Sequence, residues 1–240
     1  MRIARADTPD GIVRGEYDGE TVRTDEETYT LGETATLLPP CDPGTIYCME
    51  RNYQAYIEQN IDADGPPDEI MFFLKGHNCL RASGEEVPLP SFSEKVGYAG
   101  ELTAVVGEEC SDVAPEEVSD VLEGYTILND MDAKDQEGIG AMKVFEGAAP
   151  LGPCVATDVD PTDLDMHTTV GGEERQNAHT SRMLRGPEEV VSALSERITL
   201  SPGDVIALGS PANPGTVAPG EEMAITYEGI GTLRNTLAAE

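Results

Sequence analysis

The sequence is poor in basic residues. Its 240 residues contain 15 Lys and Arg against 46 Asp and Glu, which gives a formal net charge of −31. A protein that binds nucleic acid needs clustered Lys and Arg opposite the phosphates. The few basic residues form no cluster or stripe in this chain. The charge pattern therefore argues against a nucleic-acid partner.

Other features are also absent. No run approaches 18 consecutive apolar residues, and the opening "MRIARADTPDG" does not have the pattern of a signal peptide, so we expect a soluble, cytoplasmic protein without a membrane partner. The five cysteines show no C-x-x-C spacing, which favours small buried hydrophobic side chains over a zinc site or disulfides.

The acidic residues that are present lie along the whole length of the chain. Regularly spaced apolar runs such as "EIMFFLK" and "DVIALG" separate them, and a disordered acidic protein would lack such runs. The pattern is typical of a folded domain with a hydrated acidic surface, as in proteins from a salt-saturated cytoplasm. Such a surface repels itself at low salt and is screened at molar salt, where the Debye length is about 3 Å.

The order of predicted elements favours a β-rich fold. Residues 1–40 read as a small N-terminal β subdomain of short strands and turns, and residues 41–240 form the larger domain. A helix is predicted over "DVAPEEVSDVLEG", with Gly124 just after its end. Strands outnumber helices and most are not joined by crossover helices, which predicts an α/β fold built as a β-rich mixed roll.

The predicted strand "GYAGELTAVVG" carries an acidic residue immediately before its apolar run. Its apolar run ends at Gly107, and Glu101 stands at the start of that run. Residues two apart on a strand face the same way, so Ala99 and Glu101 share a side. If Glu101 is a metal ligand, a second carboxylate would be expected at position 99, where the chain has alanine.

Seven segments, in order from Thr45 to Leu237, resemble the fumarylacetoacetate hydrolase family in its short form. They are "IYCMERNY", "MFFLKG", "SEKVGYAGELTAVVG", "EGYTILNDMDAKDQ", "MKVFEGAAPLGP", "LSPGDVIALGSP" and "EGIGTLRN". The resemblance implies a β-rich roll that is usually a homodimer, with Mg²⁺ or Mn²⁺ in its mouth. It also implies hydrolysis, decarboxylation, tautomerisation or dehydration of a small 2-keto or diketo acid.

The resemblance implies metal ligands at Glu101 and Asp130. Ala99 occupies the position of a third, anionic ligand, so the metal site is expected to be weakened. Asp132 is a possible substitute if its strand continues, although it could equally act as the N-cap of a helix in "AKDQEG".

The resemblance also places Lys143 in the active site, where it would neutralise enolate charge. In the family's hydrolytic members, a lid segment carries a His–Glu pair that activates water or moves a proton. Tyr56 and Gln59 occupy the positions of that pair in this chain. A phenol with a pKa near 10 and a carboxamide cannot readily generate hydroxide at neutral pH.

Five further positions correspond to substrate-binding residues of the family. Asn52 and Tyr53 keep the family's residue types, and Ser210 keeps a hydroxyl. Lys134 retains a positive charge but lacks the bidentate fork of arginine, and Glu137 would repel an anionic substrate.

Two hypotheses remain open from the sequence. In the first, the protein is an enzyme that acts on a 2-keto or diketo acid through a weak metal site and Lys143. In the second, it has lost catalysis and serves as a binding protein or as the partner subunit of an active paralogue.

Overall fold

A computed structural model describes residues 1–59, 65–212 and 215–240, and strands dominate it. The strands are β1 Arg2–Thr8, β2 Gly11–Tyr17, β3 Thr21–Arg23, β4 Thr28–Thr30, β5 Thr36–Leu38, β6 Ile46–Glu50, β7 Met71–Lys75, β8 Leu80–Ala82, β9 Glu86–Leu89, β10 Val96–Gly97, β11 Gly100–Val106, β12 Leu122–Asn129, β13 Asp132–Ala133, β14 Ala149–Ala156, β15 Asp165–Val170, β16 Glu173–His179, β17 Val205–Ala207, β18 Thr216–Val217, β19 Glu222–Tyr227 and β20 Gly231–Ala239. The α-helices are α1 Gln54–Gln59, α2 Val118–Val121, α3 Ile139–Lys143 and α4 Pro187–Ser195. Short 3₁₀ turns cover His77–Cys79, Pro115–Glu117 and Thr180–Arg182.

The strands form one large sheet and two smaller ones. The large sheet has the order β4-β3-β2-β1-β14-β12-β11-β17-β6-β7, with β5 paired to β1 and β8 paired to β14. A five-stranded sheet has the order β16-β15-β19-β20-β9, and a three-stranded sheet has the order β13-β10-β18. Most neighbouring strands are antiparallel, with parallel pairs such as β17–β6 and β14–β8 among them. The predicted strand-rich, mixed α/β architecture is confirmed.

The first five strands continue the large sheet. Strand β1 pairs with β14, so that Arg2 lies opposite Ala156. The boundary near residue 40 stays a prediction, because the hydrogen-bonded sheet runs across it.

The strand β11 lies in the middle of the large sheet, between β12 and β17, and all seven of its residues are buried. Leu102, Ala104 and Val106 pack into one hydrophobic cluster, whereas Val105 packs into the other. This alternation puts Glu101 on the same side of the sheet as Val105. Strand β11 is therefore buried on both faces and carries a buried carboxylate, that of Glu101, at its second residue.

The predicted helix over residues 112–124 is much shorter than expected. The 3₁₀ turn at Pro115–Glu117 leads into α2, and β12 already begins at Leu122, which pairs with Val106. Gly124 therefore lies inside a strand, with φ of +151°, and does not end a helix. Pairing with the buried strand β11 outweighs the local helix signals.

None of the helices in the described residues is long and apolar enough to cross a membrane.

Gly124 provides a test of this sheet geometry. A Cβ atom at this position would lie far inside van der Waals contact with the Ala156 carbonyl oxygen on β14. We expect Gly124→Ala to lower the free energy of unfolding by about 1–3 kcal/mol, measured by denaturant unfolding. The control is Gly140→Ala, where the added methyl group meets no atom within 4 Å. Equal stability of the two variants would contradict the sheet register at Gly124.

Candidate active site

Glu101 and Asp130 come together because β11 and β12 are antiparallel. Gly100 pairs with Asn129, and beyond this pair the Asp130 backbone N–H donates to the Ala99 carbonyl oxygen at 2.8 Å. The start of one strand and the end of the next therefore meet at one edge of the sheet. Both carboxylates are buried there.

These carboxylates line a cavity of about 620 Å³. Most residues that were predicted to form the site lie in its wall: Tyr56, Gln59, Ala99, Glu101, Asp130, Asp132, Lys134, Lys143 and Ser210. The other lining residues are Met49, Glu50, Arg51, Phe73, Tyr98, Ile139 and Met142. The cavity is thus the place where the predicted metal, lysine and lid positions converge.

Lys143 lies at the end of α3 and reaches into this cavity. Its Nζ donates to Asp130 Oδ2 at 2.6 Å and lies 3.5 Å from Asp132 Oδ2. It also stands 4.9 Å from the centre of the Phe73 ring, within the range of a cation–π contact. The ammonium is therefore held at the carboxylates by both charge and packing.

Lys75 is a second lysine at the site, which our sequence analysis did not single out. It ends β7, its side chain is 0% exposed, and its Nζ lies 2.9 Å from Asp130 Oδ1. Nζ also donates to three backbone carbonyl oxygens, those of Met131, Lys143 and Ala148. The sequence carries no signal for its burial, because four apolar residues precede Lys75 and only the structure shows that Phe73 and Lys75 share the buried face of β7.

The charges at the site shift one another's protonation. Burial, and then the charge of Asp130, raise the pKa of Glu101 to about 8. Burial also acts to raise the pKa of Asp130, but the ammonium groups of Lys143 and Lys75 outweigh it and hold that pKa below its usual value. Burial acts to lower the pKa of Lys143, but the carboxylates of Asp130 and Asp132 raise it overall. Asp130 is therefore ionised and Lys143 protonated at neutral pH.

The oxygen atoms of the site fit a hard divalent cation. Asp130 Oδ1 is buried and lies 2.9 Å from the Lys75 ammonium, which also donates to three carbonyl oxygens; a carboxylate oxygen has a second lone pair that this contact leaves open. Glu101 Oε2 accepts one hydrogen bond, from the Gly209 backbone N–H at 2.9 Å. Mg²⁺ and similar ions bind through one or two carboxylates and keep several waters. Glu101 and Asp130 are the residues that would hold such an ion.

A third protein ligand is missing from the part of the chain that the structure describes. No three His, Cys, Asp or Glu side chains converge there closely enough to hold a metal ion. Ala99 lines the cavity at the expected position, without a carboxylate. Asp132 faces Lys143 and does not complete the pair of Glu101 and Asp130. It lies in strand β13, so the alternative interpretation of Asp132 as a helix N-cap is wrong.

The helix α1 carries the two lid positions to the cavity wall. Tyr56 and Gln59 both line the cavity. Burial raises the pKa of Tyr56 further, with a smaller opposing effect from Lys143. The phenol is therefore neutral at physiological pH. The rest of the predicted lid, residues 60–64, lies outside the described residues.

Three of the predicted substrate-binding residues do not reach the cavity. Asn52 is buried, and its amide bonds to the backbone of Arg185 and Leu208. Tyr53 is buried and forms an isolated β-bridge with Met183. Glu137 is exposed and outside the cavity wall. Asn52 and Tyr53 therefore support the wall from behind.

Ser210 and Lys134 do line the cavity. The buried Gln176 on β16 donates to Ser210 Oγ at 3.0 Å, and its carbonyl oxygen accepts from the Gly100 backbone N–H at 3.3 Å. Gln176 thus ties Ser210 to the start of β11. Lys134 is exposed, and its Nζ donates to the Gly215 carbonyl oxygen at 3.1 Å.

Comparison with known proteins gives a family match over most of the chain. A family model described as fumarylacetoacetate (FAA) hydrolase, C-terminal, matches residues 45–238. Protein Rv2993c of Mycobacterium tuberculosis is 33% identical over 98% of this chain and 97% of its own length.

Two solved structures relate the fold to enzymes. A 5-carboxymethyl-2-hydroxymuconate delta-isomerase from Mycobacterium smegmatis is similar with a TM-score of 0.89 and 33% identity, covering 100% of this chain and 99% of that one. A maleylpyruvate hydrolase from Sphingobium sp. SYK-6, in complex with manganese(II) ion and pyruvate, has a TM-score of 0.84 and 25% identity, covering 100% and 99%.

Lys75 generates a stability prediction. Lys75→Met removes the ammonium beside Asp130 and its hydrogen bonds to three backbone carbonyl oxygens, of which that of Ala148 keeps the Met131 N–H as a donor. We expect a loss of about 3–5 kcal/mol in the free energy of unfolding, measured by urea or guanidinium denaturation. The matched control is Lys95→Met, since Lys95 is exposed. Equal effects of the two substitutions would show that Lys75 is not the internal counterion of Asp130.

Glu101 generates a prediction about metal. Glu101→Gln keeps an acceptor for the Gly209 N–H but removes the ionisable carboxyl group next to Asp130, which a metal ion would need in its charged form. We expect the melting temperature without metal to stay close to that of the unaltered protein, whose Glu101 is largely neutral at pH 7, and the rise expected with millimolar Mn²⁺ to be lost. Glu26→Gln, at an exposed turn, should change neither. A full Mn²⁺ effect in Glu101→Gln would remove Glu101 from the ligand set.

Proposed function

Because the chain belongs to the fumarylacetoacetate hydrolase family, we propose that it catalyses enolisation of a small 2-keto acid, as an isomerase or tautomerase. The reaction removes a proton from C3 of the acid. The electrons of the C–H bond form the enolate double bond while the proton passes to solvent water. In an acid with a double bond between C4 and C5, protonation at C5 then completes an isomerisation; in an acid without that double bond the proton returns to C3 or adds to the oxygen to give the enol.

The observation that supports this most strongly is the cluster of Glu101, Asp130 and Lys143 in one cavity wall. A divalent ion held by the two carboxylates supplies Lewis-acid polarisation of the keto oxygen when bound. Lys143 is protonated, since its pKa is raised, so it acts as an electrostatic partner of the enolate oxygen and not as a base. Lys75 fixes Asp130 from behind.

The lid positions favour isomerisation over hydrolysis. Hydrolysis of a C–C bond needs a group that activates water near neutral pH. Tyr56 is a neutral phenol with a raised pKa, and Gln59 does not titrate. An enolisation needs no hydroxide, and the M. smegmatis neighbour carries an isomerase name.

The loss of catalysis is the weaker alternative. The named neighbours are an isomerase and a hydrolase, and the comparisons give no support to a degenerate partner subunit. We also propose that the bound ion is Mg²⁺ or Mn²⁺ and that the protein is a homodimer. In the same proposal, the acidic surface is an adaptation to high salt. The manganese in the Sphingobium neighbour and the net charge of −31 support the metal and the salt adaptation respectively.

Proton exchange tests the proposed reaction directly. The protein is incubated with pyruvate or 2-oxobutyrate in D₂O at molar KCl, with and without Mg²⁺, and loss of the C3 protons is followed by NMR. We expect metal-dependent exchange well above the protein-free rate. Lys143→Met should lower the exchange rate by about 10²-fold or more, as expected for loss of one preorganised electrostatic group.

Exchange that is equal with and without protein, in samples where metal binding is demonstrated by a melting shift, would overturn the proposed function. Exchange that persists in Lys143→Met would remove Lys143 from the reaction and leave the metal ligands in place. The control is Lys95→Met, which alters an exposed lysine outside the cavity wall.

A further inference from the structure

Glu50 lies on the same face of the large sheet as Glu101. It is the last residue of β6, whose Cys48 pairs with Ala207 of β17, and Ala207 pairs in turn with Thr103 of β11. Two residues further toward the cavity on each outer strand are Glu50 and Glu101. Because side chains two apart on a strand point to the same face, both glutamates share one face of the sheet. Two strand spacings, about 10 Å, separate their backbones.

This face of the sheet is concave. Lys75 on β7 and Asp130 just after β12 lie at the two ends of the strand run β12-β11-β17-β6-β7, yet their charged atoms are 2.9 Å apart. The sheet therefore curls, and the side chains of this face surround the cavity. Glu50 lines that cavity together with Glu101 and Lys143.

The Glu50 carboxylate has no internal partner. It is half-buried, and within the described part of the chain it forms neither a hydrogen bond nor an ion pair. It also stands apart from the metal pair, because no three acidic side chains of the described residues converge closely enough to hold an ion. Burial is the main cause that raises the pKa of Tyr56, and the charges of Glu50 and Asp130 both add to it. Glu50 is therefore near the same phenol as the metal pair.

The other acidic side chains of the described cavity wall are engaged. Glu101 and Asp130 are the carboxylates that would hold the ion, and Asp132 lies 3.5 Å from the Lys143 ammonium. The remaining titratable residues of that wall are cations or phenols: Arg51, Lys134, Lys143, Tyr56 and Tyr98. A protonated cation or a neutral phenol is a poor base at neutral pH. Glu50 is the carboxylate that stays free to take up a proton.

We propose that Glu50 is the base that removes the C3 proton of the bound 2-keto acid. The inference rests on the proposed function, which places the keto acid oxygens at Glu101 and Asp130. The Glu50 carboxylate forms an O–H bond to the C3 proton. The electron pair of the C–H bond becomes the C2–C3 double bond of the enolate, and the negative charge moves to the keto oxygen beside Lys143. The carboxylic acid so formed passes the proton on to solvent water.

Two substitutions separate the carboxylate from the space that it fills. Glu50→Ala removes the carboxylate and leaves room for a small carboxylic acid from solution, whereas Glu50→Gln removes the charge and keeps the volume. Glu58→Ala is the matched control, because Glu58 is an exposed glutamate of helix α1 outside the cavity wall.

Exchange of the C3 protons of 2-oxobutyrate is followed by NMR in D₂O at molar KCl with Mg²⁺, and formate or acetate is then added. We expect both Glu50 variants to lower the exchange rate by about 10²-fold or more, as expected for loss of a positioned base. After subtraction of the protein-free rate, formate or acetate should restore part of the exchange in Glu50→Ala and none in Glu50→Gln. Binding of 2-oxobutyrate, measured by calorimetry, should not weaken in either variant, since only a negative charge is removed from the wall.

Three results would overturn the role of Glu50 alone: exchange in Glu50→Ala at the rate of the unaltered protein, a loss that neither added acid reverses, or an equal loss in Glu58→Ala. Absence of exchange in the unaltered protein would instead overturn the proposed function, and the role of Glu50 with it. The two failures are therefore distinguishable in one set of samples.

Discussion

The candidate site depends on the buried ion pair between Lys75 and Asp130. Lys75 carries its ammonium from the edge strand β7 into a fully buried position, where three carbonyl oxygens and Asp130 Oδ1 surround it. Two of those carbonyls belong to Met131 and Lys143, so the same ammonium also fixes the segment after β12 and the end of α3. A carboxylate buried without such a partner would take up a proton. Lys75 therefore keeps Asp130 charged and immobile before any ligand arrives.

The two carboxylates of the site consequently differ. Asp130 lies between two lysines and is ionised, whereas Glu101 has no described ammonium within bonding distance, and burial beside Asp130 raises its pKa to about 8. With alanine at position 99, the wall carries one negative charge fewer than a strand with two carboxylates would. A divalent ion bound here would have few protein ligands and more open positions. This arrangement favours an ion whose remaining ligands are water and the oxygens of a keto acid.

The sequence was sufficient for part of this account and insufficient for another part. Alternation along "GYAGELTAVVG" placed Glu101 and Ala99 on one side, and the family resemblance placed Asp130 and Lys143 beside them. The helix expected before Gly124 was wrong in length, because pairing with β11 begins at Leu122 and no local signal reports a partner strand. Lys75 was missed since a lysine in a strand reads as exposed until its burial is known. Asn52 and Tyr53 adjoin Arg51 in sequence, yet only the tertiary fold reveals that Arg51 lines the cavity whereas Asn52 and Tyr53 do not.

We propose that the protein holds a divalent ion through the carboxylates of Glu101 and Asp130, with Lys75 and Lys143 beside them. The most direct measurement is the number of water ligands on bound Mn²⁺, counted by electron paramagnetic resonance in ¹⁷O-enriched water. For an octahedral ion with two monodentate carboxylates the account predicts about four waters, and about three in Ala99→Glu. Absence of bound Mn²⁺ at millimolar metal, or the same water count in both proteins, would contradict it.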